Sequence, residues 1–168
     1  TQGYSSAASD VYKRQGLYNK ETTKLRTDEI LSTDKDMIHA FLILDMDCFK
    51  QINDGYGHAV GDIVLQKFGQ LLRDIFREDD IVGRIGGDEF VVVMKNIKMK
   101  EMAIAKAEEL LTKTQQYEIK ELNGSAISIS IGIAMAPEDG DCYMDLYKRA
   151  DQALYQAKRS GKARVCGY

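Results

Sequence analysis

Two glycines run straight into two acids at Gly86-Gly87-Asp88-Glu89, with apolar Ile81-Val82 before them and Phe90 to Met94 after. Apolar runs joined through so tight a glycine turn predict a β-hairpin. Glycine there allows positive φ and lets a bulky ligand approach the backbone. Two carboxylates at a hairpin tip can hold a hard cation such as Mg²⁺, which prefers oxygen ligands, so the stretch suits a phosphate ligand that arrives with its metal. A second acidic pair, Asp45 and Asp47, ends the apolar run Ala40-Phe41-Leu42-Ile43-Leu44. Residues two apart on a strand point to the same side. A strand ending in acids beside an acidic hairpin tip could build a Mg²⁺ cage, or the acids could simply mark the strand's exit to solvent.

Cys48-Phe49-Lys50 follows that strand directly. Backbone N–H groups in such a turn can cradle phosphate oxygens, with Lys50 adding charge. Asn53 and Asp62 offer an amide and a carboxylate, and a carboxylate can accept from guanine's ring N–H and amino group together. The competing reading is turn chemistry for Asn53-Asp54-Gly55 and an N-cap for Asp62. Lys158 and Lys162 flank the end of the last helical pattern, with Arg159 and Arg164 nearby. Cations at a helix C-terminus are favoured by the dipole alone, so these bind phosphate only if that end folds near Lys50. Arg77 and Asp80, three apart in Arg77-Glu78-Asp79-Asp80, could bind a guanine and a phosphate together, although charged runs are usually solvated faces. His58 reads as a structural histidine.

These residues need a scaffold, and the hydrophobic periodicity supplies one. Asn19 to about Leu31 is a helix, polar except for Leu25, Ile30 and Leu31. Ala40 to Asp47 is a buried strand. Asn53 to Gly57 is a loop. Asp62 to Phe76 and Met99 to Thr114 are helices. Ser125 to Ala136 alternates isoleucine with small residues, a strand with one face buried. Tyr143 to Arg159 is a helix. The order α-β-α-β-β-α-β-α predicts an α+β sandwich in which helices cover a mostly antiparallel sheet.

The chain of 168 residues is long enough for one domain with a real core. Residues 1–15 are small and polar, without apolar period, and read as a disordered or non-native tail ahead of a domain at 16–168. A net charge of −3 argues against general nucleic-acid binding. No apolar run approaches a membrane span and no secretory signal is visible. Three scattered cysteines, Cys48, Cys142 and Cys166, fit reduced thiols in a cytoplasm.

Taken together, these residues resemble the GGDEF family, the diguanylate cyclases. The resemblance rests on the pentad at 86–90, on Leu44-Asp45-Met46-Asp47-Cys48-Phe49-Lys50, Ile52-Asn53-Asp54, Gly57-His58 and Gly61-Asp62. It continues through Arg84-Ile85, Ser128-Ile129-Ser130-Ile131-Gly132, Ala150-Asp151 and Tyr155-Gln156-Ala157-Lys158, spanning about residues 16–166. Near the start Gly16-Leu17-Tyr18-Asn19 fits the family's entry run, whereas Tyr12, Arg14 and Gln15 depart from it.

The resemblance implies a palm-like fold similar to nucleotide cyclases and polymerase palms. It implies condensation of two GTP into cyclic di-GMP and two pyrophosphates, with Mg²⁺ (or Mn²⁺) as cofactor, in a homodimer whose facing domains each supply one nucleotide. Carried over by position, Asp45, Asp88 and the Met46 carbonyl bind metal. Glu89 helps with the metal or with activating the attacking hydroxyl. Asn53 and Asp62 read guanine. The backbone of Cys48 and Phe49, with Lys50, Lys158 and Lys162, holds the triphosphate, and Asp47 supports. Arg77 and Asp80 match the family's RxxD product-inhibition site, while Glu108 and Glu109 stand near where a supporting arginine is expected. An upstream sensory domain outside this chain, with a membrane anchor in the parent protein, is a further implication. The alternative is a catalytically weak domain that binds GTP or cyclic di-GMP as a regulatory module; intact Asp45, Asp88, Glu89 and Lys50 argue against it.

Overall fold

The structure, a computed structural model, describes residues 16–168; the tail expected at residues 1–15 lies outside the described residues. In chain order the elements are α1 (Lys20–Thr33), β1 (Ile38–Met46), α2 (Phe49–Tyr56), α3 (His58–Ile75), β2 (Ile81–Gly86), β3 (Glu89–Ile97) and α4 (Lys100–Gln116). A 3-10 turn (Lys120–Leu122), β4 (Ile129–Ala136), α5 (Tyr143–Arg159) and β5 (Val165–Gly167) complete it. The five strands form one sheet in the order β2-β3-β1-β4-β5, antiparallel except for the β4–β5 pair.

Strand periodicity divides the core in two. On β1, Ala40, Leu42, Leu44 and Met46 face a cluster built with Val64, Phe68 and Leu72 of α3 and Ala103, Ala107 and Leu110 of α4. Phe41 and Ile43 face the other way, against Leu31 of α1 and Leu146, Ala150 and Leu154 of α5. Helices therefore cover both faces, the expected α+β sandwich. One expectation changes as a result: β4 is buried along its whole length, because α5 lies over the face that the small residues leave free.

Two further expectations are corrected. The loop expected at Asn53 to Gly57 is the second half of α2 and its Gly57 cap. Phe49 and Ile52 turn this short helix onto the core, and Gly57, at φ 87°, ends it and starts α3 at His58. Asp62 therefore lies within α3 rather than capping it. In α1 the buried stripe is Thr23, Thr27 and Leu31, while Leu25 is 70% exposed. Asn19 caps this helix by accepting from the Thr22 amide at 2.8 Å. The hydroxyls of Thr23 and Thr27 satisfy themselves on carbonyls one turn back, at 2.7 Å each, so threonine packs without an orphaned polar atom.

Gly132 sits where α5 crosses β4. A Cβ there would meet the Ala150 carbonyl oxygen and the Leu154 amide nitrogen, both backbone atoms. Gly132→Ala is expected to destabilise the domain by about 2–3 kcal/mol, the usual cost of overpacking a core, read as the shift in urea midpoint. A loss below about 0.5 kcal/mol would mean that α5 does not pack on β4 this closely.

Candidate active site

The acids flanking β1 and the glycine turn meet at one end of the sheet. Asp45 lies directly opposite Glu89 in the β1–β3 ladder, and the Met46 amide donates to the Asp88 carbonyl at 3.3 Å. β2 and β3 join through the Gly87-Asp88 turn, with a register shift at Ile85. The Arg84 Nε atom braces this turn by donating to the Gly87 carbonyl at 2.9 Å. Neither Gly86 nor Gly87 has left-handed φ, so conformational freedom is not what the glycines provide here. A side chain on Gly87 would meet nothing within 4 Å, and one on Gly86 only Glu89 Oε2 at 4.0 Å. The glycines instead leave the hairpin tip open to a ligand.

Burial, above all, raises the proton affinity of two of these carboxylates, Asp45 and Glu89. Burial lifts Asp45 above its ordinary value of 3.8; a hydrogen bond from Lys158 opposes this, while the charges of Asp88 and Asp47 add to it. Burial likewise lifts Glu89 above 4.5, opposed by a hydrogen bond from Tyr147 and reinforced by Asp45 and Asp151. The Lys158 ammonium lies 2.8 Å from Asp45 Oδ1, and the Tyr147 hydroxyl donates to Glu89 Oε1 at 2.8 Å. A half-buried cluster of carboxylates, already attracting one ammonium, suits a hard divalent cation. The oxygens of Asp45, Asp88 and Glu89 are not drawn together like ligands around an ion. Among the described residues the only close-set group is Asp141, Cys142 and Asp145, elsewhere in the fold.

Asp47 has a different surrounding. It lies just past β1, buried, and accepts from Ser128 Oγ (2.6 Å), Ser130 Oγ (2.7 Å) and the Ala163 amide (3.2 Å). Asp47 supports the loops, as expected of it, while its charge still acts on Asp45. Directly after it Cys48 adopts a left-handed conformation, φ 60°, and opens α2. Lys162 Nζ reaches Cys48 Sγ at 3.3 Å, so the end of α5 does fold against the Cys48-Phe49-Lys50 turn. Lys50 itself is exposed. A cleft of about 500 Å³ opens beside this turn, lined by Asp47, Cys48, Ile52, Tyr56, Ile127 and Lys162.

Asn53 and Asp62 come from adjacent helices. A Cβ on Gly61 would strike Asn53 Oδ1, so the glycine before Asp62 is what lets the Asn53 amide lie against α3. Asp62 is exposed and Asn53 half-buried. Arg77 and Asp80 lie away from this cluster, on the turn between α3 and β2. Asp80 is buried and accepts from the Arg77 amide (3.1 Å) and the Lys95 amide (3.0 Å), so it shapes the turn that presents the exposed Arg77. Glu109 is engaged on α4 by Lys106 (2.8 Å) and Lys113 (3.0 Å). Sequence reasoning covered Tyr147 only as part of the helix Tyr143 to Arg159 and missed its bond to Glu89. The signal was there in the spacing: Tyr147, Asp151 and Lys158 fall at i, i+4 and i+11, one face of a helix.

Comparisons with known proteins bear on the family and the fold. Residues 13–164 match the family model described as diguanylate cyclase, GGDEF domain. The chain is 43% identical over 126 residues to diguanylate cyclase DosC of Escherichia coli, covering 74% of this chain and 27% of that protein. Among solved structures it superposes on the GGDEF domain of TpbB from Pseudomonas aeruginosa with a TM-score of 0.85 at 34% identity, covering 91% of this chain and 97% of that one. The active GGEEF domain of a diguanylate cyclase from Vibrio cholerae gives a TM-score of 0.84 at 30% identity, covering 90% and 97%. The chain spans 19–43% of the length of the curated relatives it matches. No helix among the described residues is long and apolar enough to cross a membrane.

Raised carboxylates make stability depend on pH with a definite sign. Above the ordinary values of 3.8 and 4.5 the folded chain holds protons that the unfolded chain has released. Stability therefore falls as pH rises from there through the raised folded values. Glu89→Gln removes one of these charges. Without divalent cations it is expected to unfold about 2–4 °C higher than the unmutated chain near pH 7.5, with the gap closing near pH 4. Equal melting temperatures near pH 7.5 would mean that Glu89 carries no burial penalty.

Proposed function

The chain belongs to the GGDEF family of diguanylate cyclases, and on that premise we propose that it condenses two GTP into cyclic di-GMP. The observation that carries this reading is the meeting of Asp45, Asp88 and Glu89 with Lys158 at one sheet end, beside the turn that Lys162 closes. Asp45, Asp88, Glu89 and the Met46 carbonyl would hold Mg²⁺, with Mn²⁺ as a substitute. Bound there, the metal supplies charge neutralisation on the triphosphate and a lower pKa for the attacking 3′-hydroxyl. The amides of Cys48 and Phe49, with Lys50, Lys158 and Lys162, take the phosphates. Lys158 exchanges its partner Asp45 for a phosphate oxygen as the nucleotide enters. Asn53 and Asp62 read guanine, and the acid at 62 disfavours adenine, whose amino group and unprotonated N1 present the wrong pattern.

Each 3′-hydroxyl attacks the α-phosphorus of the other GTP. A phosphorus–oxygen bond forms, the bond to pyrophosphate breaks, and the hydroxyl proton is lost; done twice, this closes the ring and releases two pyrophosphates. One such site holds one nucleotide, so two copies must face each other, and positioning does most of the work. Arg77, presented by the Asp80 turn, is the anchor for cyclic di-GMP as an inhibitor that holds domains apart. Because the chain is a fraction of its relatives' length, input from a further domain belongs to this proposal too.

Purified protein at high concentration, given GTP and Mg²⁺, is expected to form cyclic di-GMP, detected by mass spectrometry. Specific activity should rise steeply with protein concentration and vanish in Asp88→Ala/Glu89→Ala. GTP binding without product, even after forced dimerisation, would leave a regulatory binding module. Asp62→Ser is expected to lose discrimination against ATP by about tenfold or more; unchanged discrimination would remove Asp62 from the guanine site. Persistent product inhibition in Arg77→Ala would remove Arg77 from the inhibitory site.

A further inference from the structure

We infer that Tyr147 is a positioning residue for Glu89, holding one carboxylate oxygen so that the other alone is presented at the hairpin tip. The inference rests on the reading of Glu89 as a metal-site residue. Its observations are independent of that reading. The Tyr147 hydroxyl donates to Glu89 Oε1 at 2.8 Å, and a tyrosine hydroxyl is protonated at neutral pH and can serve as donor. Glu89 Oε2 faces the Gly86 turn, 4.0 Å from where a Cβ on that glycine would stand. The two oxygens are thus divided, one committed to protein and one open to the site.

Tyr147 is itself held firmly. Its ring stacks on Tyr143, one helical turn earlier, with centroids 5.9 Å apart and planes 23° apart. Tyr143 packs edge-on against Phe41 of β1 at 5.4 Å, and its amide donates to Asp28 of α1 at 2.7 Å. The hydroxyl that orients Glu89 is therefore held through three residues, Tyr143, Phe41 and Asp28, that have no part in the proposed ligand site.

The alternative fate of Glu89 explains why such a donor matters. Lys158 lies near enough to act on the Glu89 charge, yet it pairs with Asp45. A glutamate has three side-chain torsions, and without an anchor it would swing toward that ammonium. Glu89 and Lys158 would then neutralise each other, removing one ligand from the cation and one from the phosphates. A charge-assisted hydrogen bond from Tyr147 opposes this collapse. Partners that orient a metal-site carboxylate in this way commonly contribute tenfold or more to metal affinity.

The test is Mn²⁺ binding followed by electron paramagnetic resonance, in the presence of 3′-deoxy-GTP, which lacks the attacking hydroxyl. Tyr147→Phe keeps the ring and removes only the donor. It is expected to weaken Mn²⁺ about tenfold and to lower kcat, with KM for GTP nearly unchanged. Tyr143→Phe removes a buried hydroxyl that has no partner among the described residues, and should leave Mn²⁺ affinity within about twofold. In a Glu89→Gln background, Tyr147→Phe should cause little further loss, since the two act as one unit. Equal Mn²⁺ affinity in Tyr147→Phe and the unmutated chain, including no affinity in either, overturns the inference. So does an undiminished loss in the Glu89→Gln background. A Tyr147-dependent Mn²⁺ site in a chain that makes no cyclic di-GMP would sink the cyclase reading and leave this inference standing.

Discussion

Three donors converge on the buried carboxylate of Asp47: the hydroxyls of Ser128 and Ser130 and the amide of Ala163. A carboxylate taken out of water costs several kcal/mol unless its lone pairs are met, so the three donors must arrive together. They come from the run into β4, from β4 itself and from the turn after α5. Meeting that demand fixes where β1 ends, where the left-handed Cys48 turns the chain into α2, and where Lys162 returns over it. The Cys48 turn is thus built around an acid whose oxygens are already committed to protein donors.

The neighbouring acids live under the opposite condition. Asp45 and Glu89 face each other across the ladder, half-buried, with Asp88 and Asp151 adding like charge. Lys158 and Tyr147 relieve only part of that burden. The fold tolerates this because β1, β3 and β4 are almost wholly apolar behind the acids, and α3, α4 and α5 close over both faces. A rigid apolar slab with a charged rim at one end is what lets such crowding persist without opening the structure.

Much of this was legible in residue order. The hairpin at Gly86-Gly87, the strand ahead of Asp45 and the helix over Tyr143 to Arg159 all follow from hydrophobic period, and their motifs named the family. What was not legible depends on tertiary packing. Asn53-Asp54-Gly55 has the local chemistry of a turn, and only burial of Phe49 and Ile52 makes it helical. The alternation in β4 looked one-sided because small residues serve as contact surface for α5 instead of facing water. Asp80 reads as a ligand beside Arg77, and its bond from the Lys95 amide depends on long-range pairing that residue order does not show. Tyr147 was hidden in a core period that it also satisfies.

The edges of the sheet bear on how copies of this domain can meet. Beside β2, Tyr18 bridges to Gly83, accepting from the Arg84 amide and donating to the Val82 carbonyl at 2.9 Å each. At the opposite edge β5 is three residues long. An unpaired strand is a template for indiscriminate pairing, and here one side is occupied while the other offers almost no length. Both features work against fibre-like growth by edge pairing in crowded solutions of the domain.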